Sequence, residues 1–355
     1  MTTSLWRKPT TFGILLIALS VMGQSCTISL GSSRGLDGGV FRSADHGQTW
    51  QQKNFVSRDK KKTISLNDVS GRVLAFDPRN PSHIYLGTRE NGIWETTDAG
   101  EVWKSTSIRS GAYECIDYDP LNSAVMYTAA GTLVLKTTDG GKSWNTVYTE
   151  SQPGQAVTCI AVDPFNGRLV WATTTGGKIL LSEDYGKTWT LKHMLDPFTP
   201  RRLYIDPTGS GRLTIFTRNN GIFTGVNLGS SWTDLSKGLE PYPNSRDVRA
   251  VDIEPSGWYL ATSYGLLQSV DQGLSWVSIK TLNTAGSVPL QNVAVNPRNG
   301  REIFITTDQK IHHTTDAGQT WAITTLPTSR LPVLLTFDPV SSDRLFLSTF
   351  KVQKK

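Results

Sequence analysis

Hydrophobic positions along the chain fall in short runs that alternate with period two, and no helical periodicity interrupts them. Seven runs end in an acidic or amide residue followed by proline: Val73–Pro78, Cys115–Pro120, Cys159–Pro164, Arg202–Pro207, Ala250–Pro255, Asn292–Pro297 and Leu334–Pro339. Pairs such as Leu74/Phe76, Ile116/Tyr118 and Leu335/Phe337 place their apolar side chains on one face of a strand, and proline stops it by removing a ladder N–H. A second run follows each: His83–Thr88, Val125–Ala130, Leu169–Thr174, Leu213–Arg218, Trp258–Ser263, Glu302–Thr307 and Arg344–Thr349. A third, as in Gly92–Thr96 and Gly265–Ser269, leads into a polar turn, and a fourth starts at a tryptophan.

That turn is most complete at Thr137–Trp144. It recurs at Ser43–Trp50, Thr96–Trp103, Ser182–Trp189, Ser269–Trp276 and Thr314–Trp321, with a weaker copy at Gly225–Trp232. Its acidic position is Asp45, Asp98, Asp139, Asp184, Asn227, Asp271 and Asp316; its aromatic is Trp50, Trp103, Trp144, Trp189, Trp232, Trp276 and Trp321. Successive acidic positions lie 53, 41, 45, 43, 44 and 45 residues apart, the period of a supersecondary unit in an array. The carboxylate accepts downstream backbone N–H groups, the Ser or Thr hydroxyl does so more weakly, and Gly supplies a positive φ. The tryptophan buries a large ring against its own unit. No EF-hand-like run of oxygen ligands accompanies the aspartates, so they are turn formers and no metal or cofactor is expected.

Four short antiparallel strands per repeat predict the all-β blades of a single seven-bladed propeller over residues 39–350. The chain opens with a third strand and turn (Gly39–Trp50) and closes with a first and second strand (Leu334–Thr349). Neither end makes a blade alone, so the seventh is expected to form by pairing the two, which removes two exposed sheet edges.

The turn resembles the Asp-box, or bacterial neuraminidase repeat, and the resemblance runs over about residues 38–350. Sialidases, the sortilin ectodomain, xyloglucan-cleaving propeller hydrolases and the photosystem II stability/assembly factors share it. The resemblance implies the fold strongly and the function weakly, because the box is a scaffold element away from the active site. The Asp-Pro-x-Asn-Pro phrasing at Asp77–Pro81 looks like the sortilin and xyloglucan-hydrolase type. In size and plan the chain is most similar to the photosystem II factors, which implies an exported, sometimes lipid-anchored assembly scaffold.

At the N-terminus, Arg7 and Lys8 precede an apolar run, Gly13–Met22, too short to span a bilayer. Residues 1–25 therefore read as a signal peptide, with Cys26 as the first mature residue and a candidate for acylation; ordinary secretory cleavage at the same bond is the alternative. Both make the mature chain extracytoplasmic, lipid-anchored at a bacterial membrane or else secreted or periplasmic. Residues 26–38 read as a Gly/Ser-rich tether and 351–355 as a tail. Beyond Cys26 only Cys115 and Cys159 remain, expected as two separate buried thiols rather than a disulfide framework.

Function is expected in the loops leading into the first strands and in those joining strands two and three. Formal net charge is +6, and the loops carry Arg58, Arg89, Arg109, Arg201, Arg202, Arg218, Arg246, Arg249 and Arg330, with Tyr264 among them. A basic face fits a protein or an anionic glycan of the cell envelope. Nucleic acid is excluded for an exported chain without interleaved aromatics, and a monomer is expected. The competing reading is a sialidase-like or xyloglucanase-like glycoside hydrolase using Asp117, Asp252 or Glu114. Asp117 and Asp252 sit at equivalent first-strand positions three blades apart, and a carboxylate pair is what glycoside hydrolysis needs. The sialidase Arg-Ile-Pro motif is absent, and one ring offers no cleft between two propellers. The remaining histidines show no metal spacing, and His312–His313 reads as a surface strand position.

Overall fold

The computed structural model describes residues 37–351, except residues 60, 61, 197, 199 and 208–210. The expected signal peptide, Cys26 and most of the tether therefore lie outside the described residues, as does the tail from 352 onward. The rest is seven four-stranded antiparallel sheets. Blade 1 spans Gly71–Phe76 to Lys104–Ser105, blade 2 Ile116–Asp119 to Asn145–Thr149 and blade 3 Val157–Val162 to Thr190–Met194. Blade 4 spans Pro200–Ile205 to Ser231–Asp234, blade 5 Val248–Glu254 to Val277–Ile279 and blade 6 Asn292–Asn296 to Ala322–Thr325. First strands pack side by side around the ring and fourth strands form its rim. The one helical element among the described residues is a 3-10 turn, Ser236–Leu239.

Blade 7 is assembled from both ends of the ring. Val40–Ser43 pairs with Leu345–Phe350 in the register Val40↔Ser348 and Ser43↔Leu345. Gln51–Gln52 lies outside and Leu331–Phe337 inside. The stretch expected to be a loop before blade 1 carries an extra hairpin, Phe55–Asp59 against Lys62–Ser65.

The apolar core is divided into seven clusters, one at each seam between neighbouring blades. Between blades 2 and 3, Tyr127 and Val134 meet Val157, Ile160 and Val170; between blades 6 and 7, Phe304 and Ile311 meet Phe41, Leu335 and Leu347. This changes the reading of the box tryptophans. Each packs into the seam with the preceding blade rather than onto its own unit alone. Trp189 of blade 3 donates its indole N–H to Val147 O of blade 2 at 3.1 Å, Trp321 to Lys280 O at 2.9 Å and Trp103 to Lys53 O at 2.7 Å. In these three the ring packs on the inter-blade cluster while its single donor reaches the neighbouring blade. Trp232 donates instead to Gly229 O of its own turn at 3.0 Å, and the indole N–H groups of Trp50, Trp144 and Trp276 are buried without a partner among the described residues.

The turn chemistry follows the sequence closely. Thr137 Oγ1 donates to Asp139 Oδ1 at 2.8 Å and accepts Gly141 N–H at 3.0 Å. Asp139 Oδ1 accepts Ser143 N–H at 2.9 Å and Oδ2 accepts its hydroxyl at 2.5 Å. The residue after the acidic or amide position is also left-handed: Gly140 has φ of 71°, and the non-glycine residues His46, Ala99, Tyr185, Leu228, Gln272 and Ala317 have φ of 54–62°. Non-glycine residues resist this region by roughly 1–2 kcal/mol each, and around all but Leu228 the hydroxyl–carboxylate bonding compensates. The weak copy lacks that bonding because Gly225 replaces the hydroxyl residue; a Cβ there would meet Trp232 at 2.8 Å.

Two outcomes follow. A chain lacking residues 336–355 loses Leu345, Phe346 and Leu347, all fully buried, each contributing about 1.5–3 kcal/mol. It should show no cooperative thermal transition where the whole chain shows one. The box bonds also hold Asp139 and Asp184 down at about 2, the bonds from Ser143 and Thr188 contributing most. Stabilisation from carboxylates with lowered folded values is complete above pH ~4 and is lost as pH falls towards the folded value. Circular dichroism from pH 5 to 2 should show unfolding, and Thr137→Ala should move its midpoint to higher pH.

Candidate functional site

First strands bring three carboxylates and one guanidinium into the central channel. Asp117 and Asp252 occupy equivalent places on blades 2 and 5, as the sequence implies, but they do not form a free pair. Asp117 Oδ2 accepts Val162 N–H of blade 3 at 2.7 Å and Oδ1 accepts Tyr118 N–H at 2.9 Å. Asp252 Oδ2 likewise accepts Val295 N–H of blade 6 at 2.7 Å and Oδ1 accepts Ile253 N–H at 3.1 Å. Each carboxylate is a strap from one blade to the next.

Both straps are half-exposed to the channel yet enclosed by protein, and desolvation dominates their titration. Burial pushes Asp117 up to about 6 against the two N–H bonds and the charge of Arg202. Asp252 is raised for the same first reason, with Arg202 opposing. Glu254, which the sequence marks only as the acidic stop before Pro255, is pushed up to about 7 by burial and by Asp252. Arg202 is exposed, donates from Nη1 to Val251 O at 3.0 Å and acts electrostatically on all three.

At the mouth of the channel the arginines converge on acids. Asp247 is the hub. Arg218 Nε approaches it at 3.2 Å and Arg249 Nε at 3.1 Å, and the Ser263 hydroxyl donates to it. Arg249 Nη1 continues to Gln291 Oε1 at 3.0 Å, and Gln291 donates to Asp308 at 2.8 Å. Arg72 lies 3.6 Å from Glu114, and Arg89 stacks over Phe350 at 4.7 Å from the ring centroid. Arg201 sits exposed among Arg218, Asp247, Glu114 and Arg249, its guanidinium pulled below its ordinary range by desolvation and then by Arg218. Tyr264 packs edge-on against Tyr242, centroids 5.1 Å apart. The sequence misses Asp247 as the hub because a lone aspartate before a strand carries no pattern.

Other candidates lie elsewhere. Arg58 and Arg109 are exposed without ion pairs to described residues, and Arg246 is exposed beside Asn219. Arg330 is 7 % exposed and ion-paired with Asp37 at 3.5 Å and Asp68 at 3.2 Å. It locks the start of the ring to the loops beside it and offers no outward charge. Cys115 and Cys159 are free thiols, burial pushing Cys115 up to about 12.

The histidine pair is not on the surface. His312 is buried, and His313 stacks on Phe304 at 4.0 Å and reaches Glu302 at 3.1 Å. His46 of blade 7 meets the same carboxylate at 3.0 Å, so the cluster closes a seam. Among the described residues no group of His, Cys, Asp and Glu has a metal-binding arrangement.

A family model described as photosynthesis system II assembly factor YCF48 matches residues 59–195, less than half of the chain. A xyloglucanase of Hypocrea jecorina is 24 % identical over 272 residues, covering 68 % of this chain and 29 % of that enzyme. The chloroplastic photosystem II stability/assembly factor HCF136 of Arabidopsis thaliana is 32 % identical over 183 residues, covering 49 % and 40 %. The chain spans only 29 % and 24 % of the first two curated relatives, both xyloglucanases. Among solved structures, YCF48 bound to a D1 peptide superposes with TM-score 0.61 at 17 % identity, covering 85 % of this chain and 99 % of that one. The GH74 xyloglucanase from Xanthomonas campestris gives 0.64 at 16 %, covering 79 % and 51 %. Likeness at that identity speaks to fold. With seven boxed blades closed into one ring, the chain is a BNR-type, or Asp-box, β-propeller.

Proposed function

We propose that this protein is a non-enzymatic binding and assembly module that holds a protein partner against the arginine-lined mouth of its channel. The observation that carries the reading is the use of Asp117 and Asp252. Both oxygens of each carboxylate accept backbone N–H groups, one of them from the next blade. A glycosidase needs one such group free as an acid and the other free as a base or nucleophile. The convergent Arg201, Arg218 and Arg249 instead favour an anionic polypeptide surface, steering its approach and fixing its register. The near-complete coverage of a peptide-binding relative, against about half of a xyloglucanase chain, supports the same reading.

Export and anchoring complete the proposal. The basic and apolar start of the chain, ending at Cys26, would place the ring at the outer face of a membrane. Metabolic labelling with palmitate should mark the whole chain and not its Cys26→Ser variant; labelling of both sinks the anchor.

The chain from Gly31 onward should bind a ten-residue acidic peptide probe, with affinity falling severalfold or more between low and physiological salt. Arg201→Gln/Arg249→Gln should weaken it about tenfold. Release of reducing ends from xyloglucan or sialosides, lost in Asp117→Asn, would replace this reading with hydrolysis. Asp117→Ala and Asp252→Ala should each lower stability by about 1–3 kcal/mol, the cost of an orphaned buried N–H. Peptide binding should survive both at temperatures where they remain folded.

A further inference from the structure

Outside the box turns, only two non-glycine residues among those described have positive φ: Asn219 at 87° and Asn244 at 63°. They belong to different blades' loops, yet both line one hollow of about 620 Å³ beside the channel mouth. Backbone held in sparsely populated regions concentrates where a ligand is gripped. Two such residues at one cavity are an observation independent of the arginine cluster.

The hollow lies between the strand-two to strand-three loop of blade 4 and the long connection into blade 5. Its scaffold is fixed before any ligand arrives. Asn219 N–H donates to Arg246 O at 2.7 Å, Ser245 Oγ to Leu239 O at 3.0 Å and Tyr242 OH to Trp276 O at 2.6 Å. Asp247 and Ser263 on the wall are occupied with Arg218, Arg249 and each other. Four lining side chains remain: Asn219, Asn244, Glu240 and Arg246, all exposed and none with a side-chain bond to a described residue. They present two amides, one carboxylate and one guanidinium, with no net charge. The half-buried ring of Tyr242 adds an apolar surface to the same wall.

We infer that this hollow is a binding site for a neutral, hydroxyl-rich ligand, a short carbohydrate segment. Vicinal hydroxyls each donate and accept, and planar amide, carboxylate and guanidinium groups answer both roles within one plane. A highly charged ligand would leave Glu240 or Arg246 opposed, and an aliphatic one would leave all four polar groups without partners. The volume suits two to three sugar rings within the range of ordinary ligand pockets. The hollow shares the Asp247–Ser263 wall with the arginine mouth, but its four available side chains are not the arginines that face a protein there, so it stands whether or not that mouth binds one.

The test is calorimetric titration of the chain from Gly31 onward with cellotetraose, against glycylglycine as a zwitterionic control. Asn219→Gly and Asn244→Gly keep the backbone relaxed at positive φ and remove only the amides, so the thermal midpoint should hold. Each should weaken cellotetraose binding at least tenfold, while the acidic-peptide affinity stays unchanged. No binding of cellotetraose up to about 10 mM, unchanged binding in both glycine variants, or glycylglycine binding in its place would overturn the inference.

Discussion

The seam between neighbouring blades is the constraint on which this structure depends. A four-stranded blade has two faces and no core of its own, so each face must be covered by a neighbour. The seven apolar clusters are that covering, and a box tryptophan enters every one of them, Trp50 at one seam and Trp189 at another. The box turn therefore does two jobs at once. Its carboxylate and hydroxyl stabilise a left-handed pair of residues, and the turn so made aims an indole at the blade before it. The straps Asp117–Val162 and Asp252–Val295 repeat the principle at the inner wall with polar atoms.

Most of the architecture is legible in the sequence because it is periodic. The Asp-Pro stops, the box and the phase of the two ends are local patterns, and each names a strand or a turn directly. Direction across the seam is not local. Nothing in Thr188-Trp189 says that the indole faces Val147 rather than its own sheet, and nothing in His312-His313 says that Glu302 and His46 wait beside it. The same limit applies to the site. The sequence finds the arginines by composition but places Arg330 with them, although two aspartates bury it. It finds Asp117 and Asp252 by repeat position but not the N–H groups that occupy them.

The contrast between the two acid sets bears on function within this fold. Channel carboxylates with raised titration, such as Asp117 and Glu254, look like acid–base candidates when judged by ionisation alone. Their hydrogen bonds separate the cases. Asp117 is a structural acceptor whose burial lifts it, whereas Glu254 makes no such strap to a described residue and owes its shift to burial and to Asp252. At the mouth the balance is reversed, with Arg72, Arg218 and Arg249 each already facing a carboxylate. A partner of the kind proposed would exchange one set of ion pairs for another there, which favours specificity over sheer affinity.

The pairing of Val40–Ser43 with Leu345–Phe350 also fixes when the ring can finish. These strands are separated by nearly the whole described chain, and contacts of such long range form slowly. A chain emerging from its N-terminal end carries an open edge at Val40–Ser43 until Leu345–Phe350 has appeared. Six blades can stack in that interval, but the first and last seams cannot close. The growing molecule is an arc with two sticky ends, at risk of pairing with a second arc. A holding factor, or rapid completion after synthesis, is the natural requirement of a circle closed in this way.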